Sequence, residues 1–310
     1  MRSNGMPSPL DQALARRTGR AEQNREVCRL IAGEHDGFEG LVVDRLGDYA
    51  FATCHDEPGE KTIELLRCLV QRLALRGLSL RSRAKGGQGR EILCLGETLP
   101  ERIELFEGEI SAVLRIHPES LSYGLFPDLR LERLRVAQRS AGLKVLNLYA
   151  YSGLFGIHAA HGGALDVVQV DALKSMLNMI DANEKANAVS TRRICDDALS
   201  YCQRAARRGH SFDLVIHDPP TFGRDPKGRS RSTKKSLVEM LSACLSVVAD
   251  GGLLLSIVNT ASMSTLAVDQ QHEEAAQRCN KRIRRVDGLR ICSDSPSPLK
   301  GGWYEVNSIR

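Results

Sequence analysis

The amino-acid sequence predicts an α/β protein in two parts: a small α+β domain, then a doubly wound, Rossmann-like domain built on a parallel sheet. Up to about Gly124, strand-like alternation and helical spacing of apolar residues are mixed. Beyond it, apolar runs of about five residues alternate with helical segments. The runs "KVLNLYA", "LDVVQVD", "FDLVIHD" and "GGLLLSIVN" lack polar alternation, as parallel strands do when helices cover both faces.

Taken in order, residues 10–24 are basic and read as a helix, so 1–26 forms an amino-terminal helical segment. The small domain spans 27–119 and is a candidate substrate-binding module. In it "GLVVDRLGDYAFATC" reads as two strands around the turn Leu46-Gly47-Asp48, and "EKTIELLRCLVQRLAL" has helical spacing. "EILCLGE" and "RIELFEGEISAVLRI" return to alternation, giving a strand-helix-strand unit. Residues 120–310 form the doubly wound domain, whose strand ends should share a crevice at the topological switch point.

Composition removes several function classes. No stretch of about 18 or more apolar residues occurs, and Met1 to Arg20 is polar, so neither a membrane span nor a secretory signal is expected; the cytoplasm is the expected compartment. Nine cysteines without a C-x-x-C pair argue against a disulfide framework and a zinc site, and most read as reduced core residues; no metal is expected. The net charge of +5 is modest, but basic residues cluster at Arg81 to Arg90 and at Arg224 to Lys235. The sequence leaves a homodimer open.

Four successive strand ends carry chemistry. In "VLNLYAYSGLFG" a strand containing Asn147, a candidate cofactor-binding residue, ends near Tyr149, and a turn containing Gly153 and Gly156 leads into an apolar helix. Glycine there permits close approach to a ligand, or merely makes a tight connection. Asp171 ends the next strand 24 residues after Asn147, where an acid can accept from ribose hydroxyls. Asp197, in "CDDALSYC", suits either an adenine contact or a helix N-cap. The fourth end is "HDPPTF".

With these motifs on the page, the sequence resembles class I S-adenosylmethionine-dependent methyltransferases, in particular the bacterial RlmI/RlmK family of 23S ribosomal RNA methyltransferases. The likeness covers nearly the whole chain: "VCRLIAGEHDGFEGLVVDRLGDY", "GLFPDLRLERLRV", "LNLYAYSGLFGIHAAHGGALDVVQVD" and "FDLVIHDPPTF" all match family segments. It implies S-adenosyl-L-methionine as cofactor, with Tyr151, Ser152 and Gly153 in its methionine-side loop, Asp171 on the ribose and Asp197 on the adenine. It further implies Asp218 at the methyl-transfer site, and Asp128 and Arg130 closing the cofactor pocket.

Three departures bear on function. The chain begins a short helix before the small domain, so the PUA RNA-binding domain of RlmI is expected to be lacking. Leu173 stands where family members often carry Ser. RlmI, a 5-methylcytidine enzyme, has a cysteine in a "SCSG"-like stretch; here "SIVNTAS" puts Asn259 at that place, as RlmK, similar to enzymes making 7-methylguanosine, also does. Carbon 5 of cytosine needs a thiolate adduct at carbon 6, which Asn cannot form, whereas a nitrogen can attack a methyl held in line at about 3 Å. Nitrogen methylation is therefore favoured, unless Cys195, near the adenine-side strand end, is a nucleophile rather than a core residue.

The prolines explain the bend. Pro219 and Pro220 cannot donate to the sheet ladder, which leaves carbonyls for a base edge; Asp218 can accept from a base amino group or orient the cofactor. Phe222 offers a stacking face for a flipped base, or packs in the core. Next, Arg224, Lys227, Arg229, Arg231, Lys234 and Lys235 form a basic stretch that would neutralise RNA phosphates or remain a solvated mobile loop. "RSRAKGGQGR" is a second phosphate contact or a hairpin connection. Tyr123, His158, His161 and His217 read as structural or exposed. The expected activity is S-adenosylmethionine-dependent methylation of an RNA base, against a small-molecule or protein acceptor, or a noncatalytic RNA-binding ribosome-assembly factor.

Overall fold

A computed structural model describes residues 8–21, 26–83, 89–117, 119–220, 222–224, 230–260, 263–293 and 295–309. Two compact units emerge: Met1–Arg130 with Cys292–Pro296, and Leu131–Ile291 with Ser297–Arg310.

The first unit runs α1 (Pro9–Ala21), β1 (Val27–Ala32), β2 (Leu41–Leu46), β3 (Tyr49–Cys54), α2 (Glu60–Arg72), β4 (Gly77–Arg83), β5 (Gly89–Gly96), β6 (Arg102–Glu107) and β7 (Ile110–Arg115). Ser8 caps α1: its hydroxyl accepts from the Asp11 amide at 3.2 Å while Asp11 accepts from the Ser8 amide at 3.0 Å, a reciprocal capping box. Strands β1 to β5 form one sheet in chain order. Only the β3–β4 pair is parallel, because α2 carries the chain back across the sheet. The expected strand-helix-strand unit is this β3-α2-β4 segment. "RSRAKGGQGR" bridges antiparallel β4 and β5, so it is a hairpin connection, with residues 84–88 outside the described ones. Leu66 and Leu69 of α2 pack with Ile31, Val43, Leu78 and Leu80 in a core that also takes Leu10 and Leu14 of α1.

The second unit begins at Leu131 within α3 (Arg130–Arg139) and continues through β8 (Lys144–Leu148), α4 (Leu154–His161), β9 (Asp166–Asp171), α5 (Lys174–Ala186), β10 (Arg192–Cys195), α6 (Ala198–Arg207) and β11 (Phe212–His217). Then come a short pair, β12 (Phe222–Arg224) and β13 (Ser230–Ser232), followed by α7 (Thr233–Ser246), β14 (Val248–Asn259), α8 (Thr265–Arg278), β15 (Lys281–Gly288) and β16 (Leu299–Ser308). The large sheet has the order β10-β9-β8-β11-β14-β16-β15. Its first five strands are parallel, and β16 is antiparallel to both neighbours.

The fold is the doubly wound α/β class expected for class I methyltransferases. The chain builds outward from β8 through β9 to β10, then returns to place β11 on the other side of β8. That reversal makes β8 and β11 the switch point, where the strand ends splay open a crevice. Apolar strand residues such as Leu146, Val168, Val215 and Leu254 bury against Cys202, Leu241, Cys244 and Val268 from α6, α7 and α8. Covered faces explain why these strands carry no polar alternation.

Candidate active site

Beyond Leu148 the chain turns sharply through Tyr149, Tyr151 and Gly153, whose φ angles are 54°, 52° and 82°. Left-handed backbone costs a non-glycine residue about 1 kcal/mol or more, and such residues persist only where their surroundings hold them. Here the holding bonds are explicit. The Tyr151 amide donates to Asp171 Oδ2 at 2.9 Å, and the Asn183 side chain donates to the Ser152 carbonyl at 2.9 Å. The Gly153 amide donates to the Ala150 carbonyl at 2.7 Å. As N-cap of α4, Gly153 supplies no side-chain cap, which suits a helix end that faces an anionic group.

Gly156 has a different reason from the ligand approach the sequence suggested. A Cβ there would stand 2.3 Å from Cδ of Gln169, so its glycine lets α4 press onto β9. Gln169 is fully buried and joins a polar chain: Asn147 Nδ2 donates to its Oε1 at 3.0 Å, and its Nε2 donates to Thr191 Oγ1 at 3.1 Å. Thr191 in turn donates to Glu184. Asn147, 1% exposed, thus has its amide engaged beneath the loop and acts from below it.

Asp171 presents its carboxylate at the tip of β9. Oδ2 accepts from Tyr151 and Oδ1 accepts from the Leu173 amide at 2.9 Å. Burial raises its pKa, and these backbone amides oppose that rise. The carboxylate keeps acceptor capacity beyond these amides, so a hydroxyl donating to it would relieve the desolvation. Asp197 is the N-cap of α6, accepting from the Ser200 amide at 2.9 Å, which is the capping role weighed from the sequence. Leu173 is 59% exposed beside Asp171.

Asp218, half-buried, follows β11 directly, with Pro219 half-buried and Pro220 exposed. Asn259 is the exposed last residue of β14, the neighbour of β11. Gly153, Asp171, Asp197 and Asp218 therefore stand at the C-terminal ends of β8, β9, β10 and β11, at one edge of one sheet. Phe222 and Arg224 lie on β12, Arg231 on β13, and Lys234 and Lys235 in the first turn of α7, so the basic stretch is a strand pair and a helix start where a loop was one expectation. The side chains of these five, and Lys227 and Arg229 entirely, lie outside the described residues.

Asp128 and Arg130 belong to the first unit. Asp128 sits in a short 3-10 turn, Pro127–Leu129, with Oδ1 buried and without a hydrogen-bond partner, the kind of acceptor that calls for a donor. Arg130 donates to the Val27 carbonyl at 3.1 Å. Cys195 is exposed rather than a core residue, because β10 is the edge strand, and its Sγ stands 3.8 Å from the Ala172 carbonyl. Sequence reasoning passed over Gln169, and it read His217 as structural or exposed; His217 is fully buried. The polar letter inside "VVQVD" was the available signal for Gln169.

Among the described residues no group of three or more His, Cys, Asp or Glu could hold a metal, and no described helix is long and apolar enough to cross a membrane.

A family model described as S-adenosylmethionine-dependent methyltransferase matches residues 38–295. The chain belongs to that family. It is 27% identical over 277 residues to the ribosomal RNA large subunit methyltransferase I of Aeromonas salmonicida, covering 86% of this chain and 69% of that one. A ribosomal RNA large subunit methyltransferase of Deinococcus radiodurans is 28% identical over 314 residues, covering 95% and 76%. A solved methyltransferase structure complexed with S-adenosylhomocysteine superimposes with a TM-score of 0.80 at 21% identity, over 96% of this chain and 79% of its own; that likeness is one of fold.

S-adenosylmethionine is therefore the cofactor of this enzyme, and it supplies an electrophilic methyl group on a sulfonium. The second unit's residues fit it: a strained loop capped by Gly153, and a desolvated carboxylate at Asp171 with lone pairs to spare.

Proposed function

We propose that this methyltransferase acts on a nitrogen of an RNA base, in ribosomal RNA of the large subunit. The observation that carries the nitrogen reading is that, among the described residues, no thiol stands at the ends of β11 and β14. Cys195 stands on β10, three strand positions from β11, about 14 Å away at ~4.8 Å per strand. Cys202 and Cys244 are buried in the helical core, and Cys279 follows α8, which runs back from the β14 tip to the opposite edge. Among the described residues of the second unit none of these thiols lies at the β11 tip or at the β14 tip, where Asn259 stands, and that supports direct attack by a nitrogen over a carbon-6 adduct. The names of the relatives and six basic residues against one acid between Arg224 and Lys235 support RNA as acceptor.

In this reading Tyr151, Ser152, Gly153, Asp171 and Asp197 hold the cofactor. Asp218 accepts a hydrogen bond from the base, the carbonyls of the Asp218–Pro220 bend read its edge, and Phe222 stacks on it. Asn259 borders the base on the β14 side. Arg224, Lys227, Arg229, Arg231, Lys234 and Lys235 neutralise phosphates, so binding weakens with salt. Rate then comes from holding nitrogen and methyl in line rather than from covalent catalysis.

Mass spectrometry of ribosomal RNA nucleosides from cells with and without the gene tests this reading. Loss of one N-methylated nucleoside is expected. Loss of 5-methylcytidine, or a covalent adduct with 5-fluorocytidine RNA, would overturn the nitrogen assignment, and an unchanged profile would move the acceptor to a small molecule or protein.

A further inference from the structure

A row of buried side chains lies directly behind the Asp218–Pro220 bend and has no part in the chemistry above. His217 ends β11, and its Cα pairs with Ser256 of β14 and Leu148 of β8. His217, Ser256 and His272 of α8 are all 0% exposed. His217 Nδ1 stands 3.5 Å from Ser256 Oγ, and Ser256 Oγ stands 2.8 Å from His272 Nε2. His272 Nδ1 is 2.8 Å from the Val268 carbonyl oxygen. The row continues at both ends through rings. Tyr304 of β16 stacks on His272 at 4.6 Å between centroids, and Tyr149 of the cofactor loop meets His217 edge-on at 6.0 Å.

The chemistry of one end fixes the direction of the whole row. A carbonyl only accepts, so His272 carries its proton on Nδ1. Its Nε2 is then an acceptor in the neutral ring, and the Ser256 hydroxyl donates to it. Having donated its one proton there, Ser256 Oγ offers His217 only lone pairs. His217 Nδ1 must therefore be N–H, a long and weak donor at this distance, and Nε2 is left as an acceptor. That Nε2 is buried without a hydrogen-bond partner.

Burial disfavours the charged form of both rings. Burial, helped by the neighbouring His272, pushes His217 down to about 3. Burial also lowers His272, against the opposing pull of the Val268 carbonyl and Asp269. The other described titratable or charged groups around the row are Tyr149 at the β8 tip, Asp218 next in the chain, Asp269 on α8, Tyr304 on β16 and Arg285 on β15, whose guanidinium lies 3.7 Å from Asp269.

We propose that His217 is a positioning residue for methyl transfer: the His272–Ser256–His217 row fixes its imidazole as the neutral Nδ1–H form, and that ring holds the Asp218–Pro220 bend in register with the Tyr149 end of the cofactor loop. The proposal rests on the acceptor site lying at that bend. Pro219 and Pro220 have no N–H to give to a sheet ladder, so packing from the His217 ring behind them adds to what holds the bend. A neutral ring also adds no positive charge to a site that receives a sulfonium.

Nitrogen-detected NMR of the imidazoles in the full chain, paired with steady-state kinetics of variants, tests it. His217 and His272 are both expected as Nδ1–H rings, and His217 should not titrate between about pH 5.5 and 8. In kinetics, His217→Asn, whose side-chain N–H replaces Nδ1–H, retains kcat within about threefold, while His217→Gln, His217→Leu and Ser256→Ala each lose about tenfold in kcat with the cofactor KM unchanged. An Nε2–H ring, a titration near 6.5, or equal loss in His217→Asn and His217→Gln would overturn the proposal. The NMR arm uses the unaltered protein, so it decides the tautomer even if a variant misfolds. RNA that takes no methyl group would sink the acceptor assignment and leave that measurement standing.

Discussion

At the tips of β8 and β9 the polar groups are tied to partners on the same loop or the next strand, whereas the tip of β11 has two prolines and is backed by residues far along the chain. Asp171 receives the Tyr151 and Leu173 amides, and Asn147 and Gln169 bond beneath them. Behind Asp218 stand Ser256, His272 and Tyr304, from three later elements. The difference teaches that the half proposed to hold the cofactor is held by local hydrogen bonds, and the half proposed to take the acceptor by tertiary packing. Substitutions in the two halves should therefore fail in different ways.

The largest expected effect is on the acceptor half. Asp218→Ala should lower kcat by about 10²- to 10³-fold, measured on the RNA acceptor; a loss below about threefold would remove Asp218 from the chemistry. On the cofactor half, Gly156→Ala should cost about 1 to 3 kcal/mol of unfolding free energy in urea, because the new Cβ meets Gln169. No loss there would mean that α4 and β9 are not pressed together as described.

Acid separates the halves further. His217 folds with a pKa of about 3, below its unfolded value of about 6.5, so the unfolded chain binds more protons in that window. Stability contributed by the neutral ring is complete above about pH 6.5 and is lost as pH falls, by up to about 1.4 kcal/mol per pH unit. His217→Gln should flatten that share of the slope in urea melts at pH 7, 6 and 5; an unchanged slope would show that His217 is not held neutral. The smallest effect is at Asp197, where Ala should cost about 1 kcal/mol through the lost cap of α6, read by the same melts.

Much of this was legible in the sequence, and for a physical reason. Apolar runs without alternation announce strands covered on both faces, and β8, β9, β11 and β14 fall on the four quoted runs. Asp171 and the Asp218-Pro219-Pro220 bend could be placed because the first ends its strand and the second follows its own directly. Gly156 was misread because the atom that excludes a side chain belongs to Gln169, on another strand. The His217 row was invisible for the same reason: its hydrogen-bond direction is set by the Val268 carbonyl, and α8 meets β11 only through the fold. Cys195 lies exposed because β10 is an edge strand, a property of sheet order that local sequence does not carry.

Calorimetry of S-adenosylhomocysteine with the unaltered enzyme, Asp171→Asn and Asp218→Ala compares the two halves on one scale. Asp171→Asn should bind at least about tenfold more weakly, since one charged acceptor becomes a donor. Asp218→Ala should bind within about threefold of the unaltered protein. The reverse pattern, with Asp218 needed for binding and Asp171 dispensable, would contradict the division of the strand tips into a cofactor half and an acceptor half.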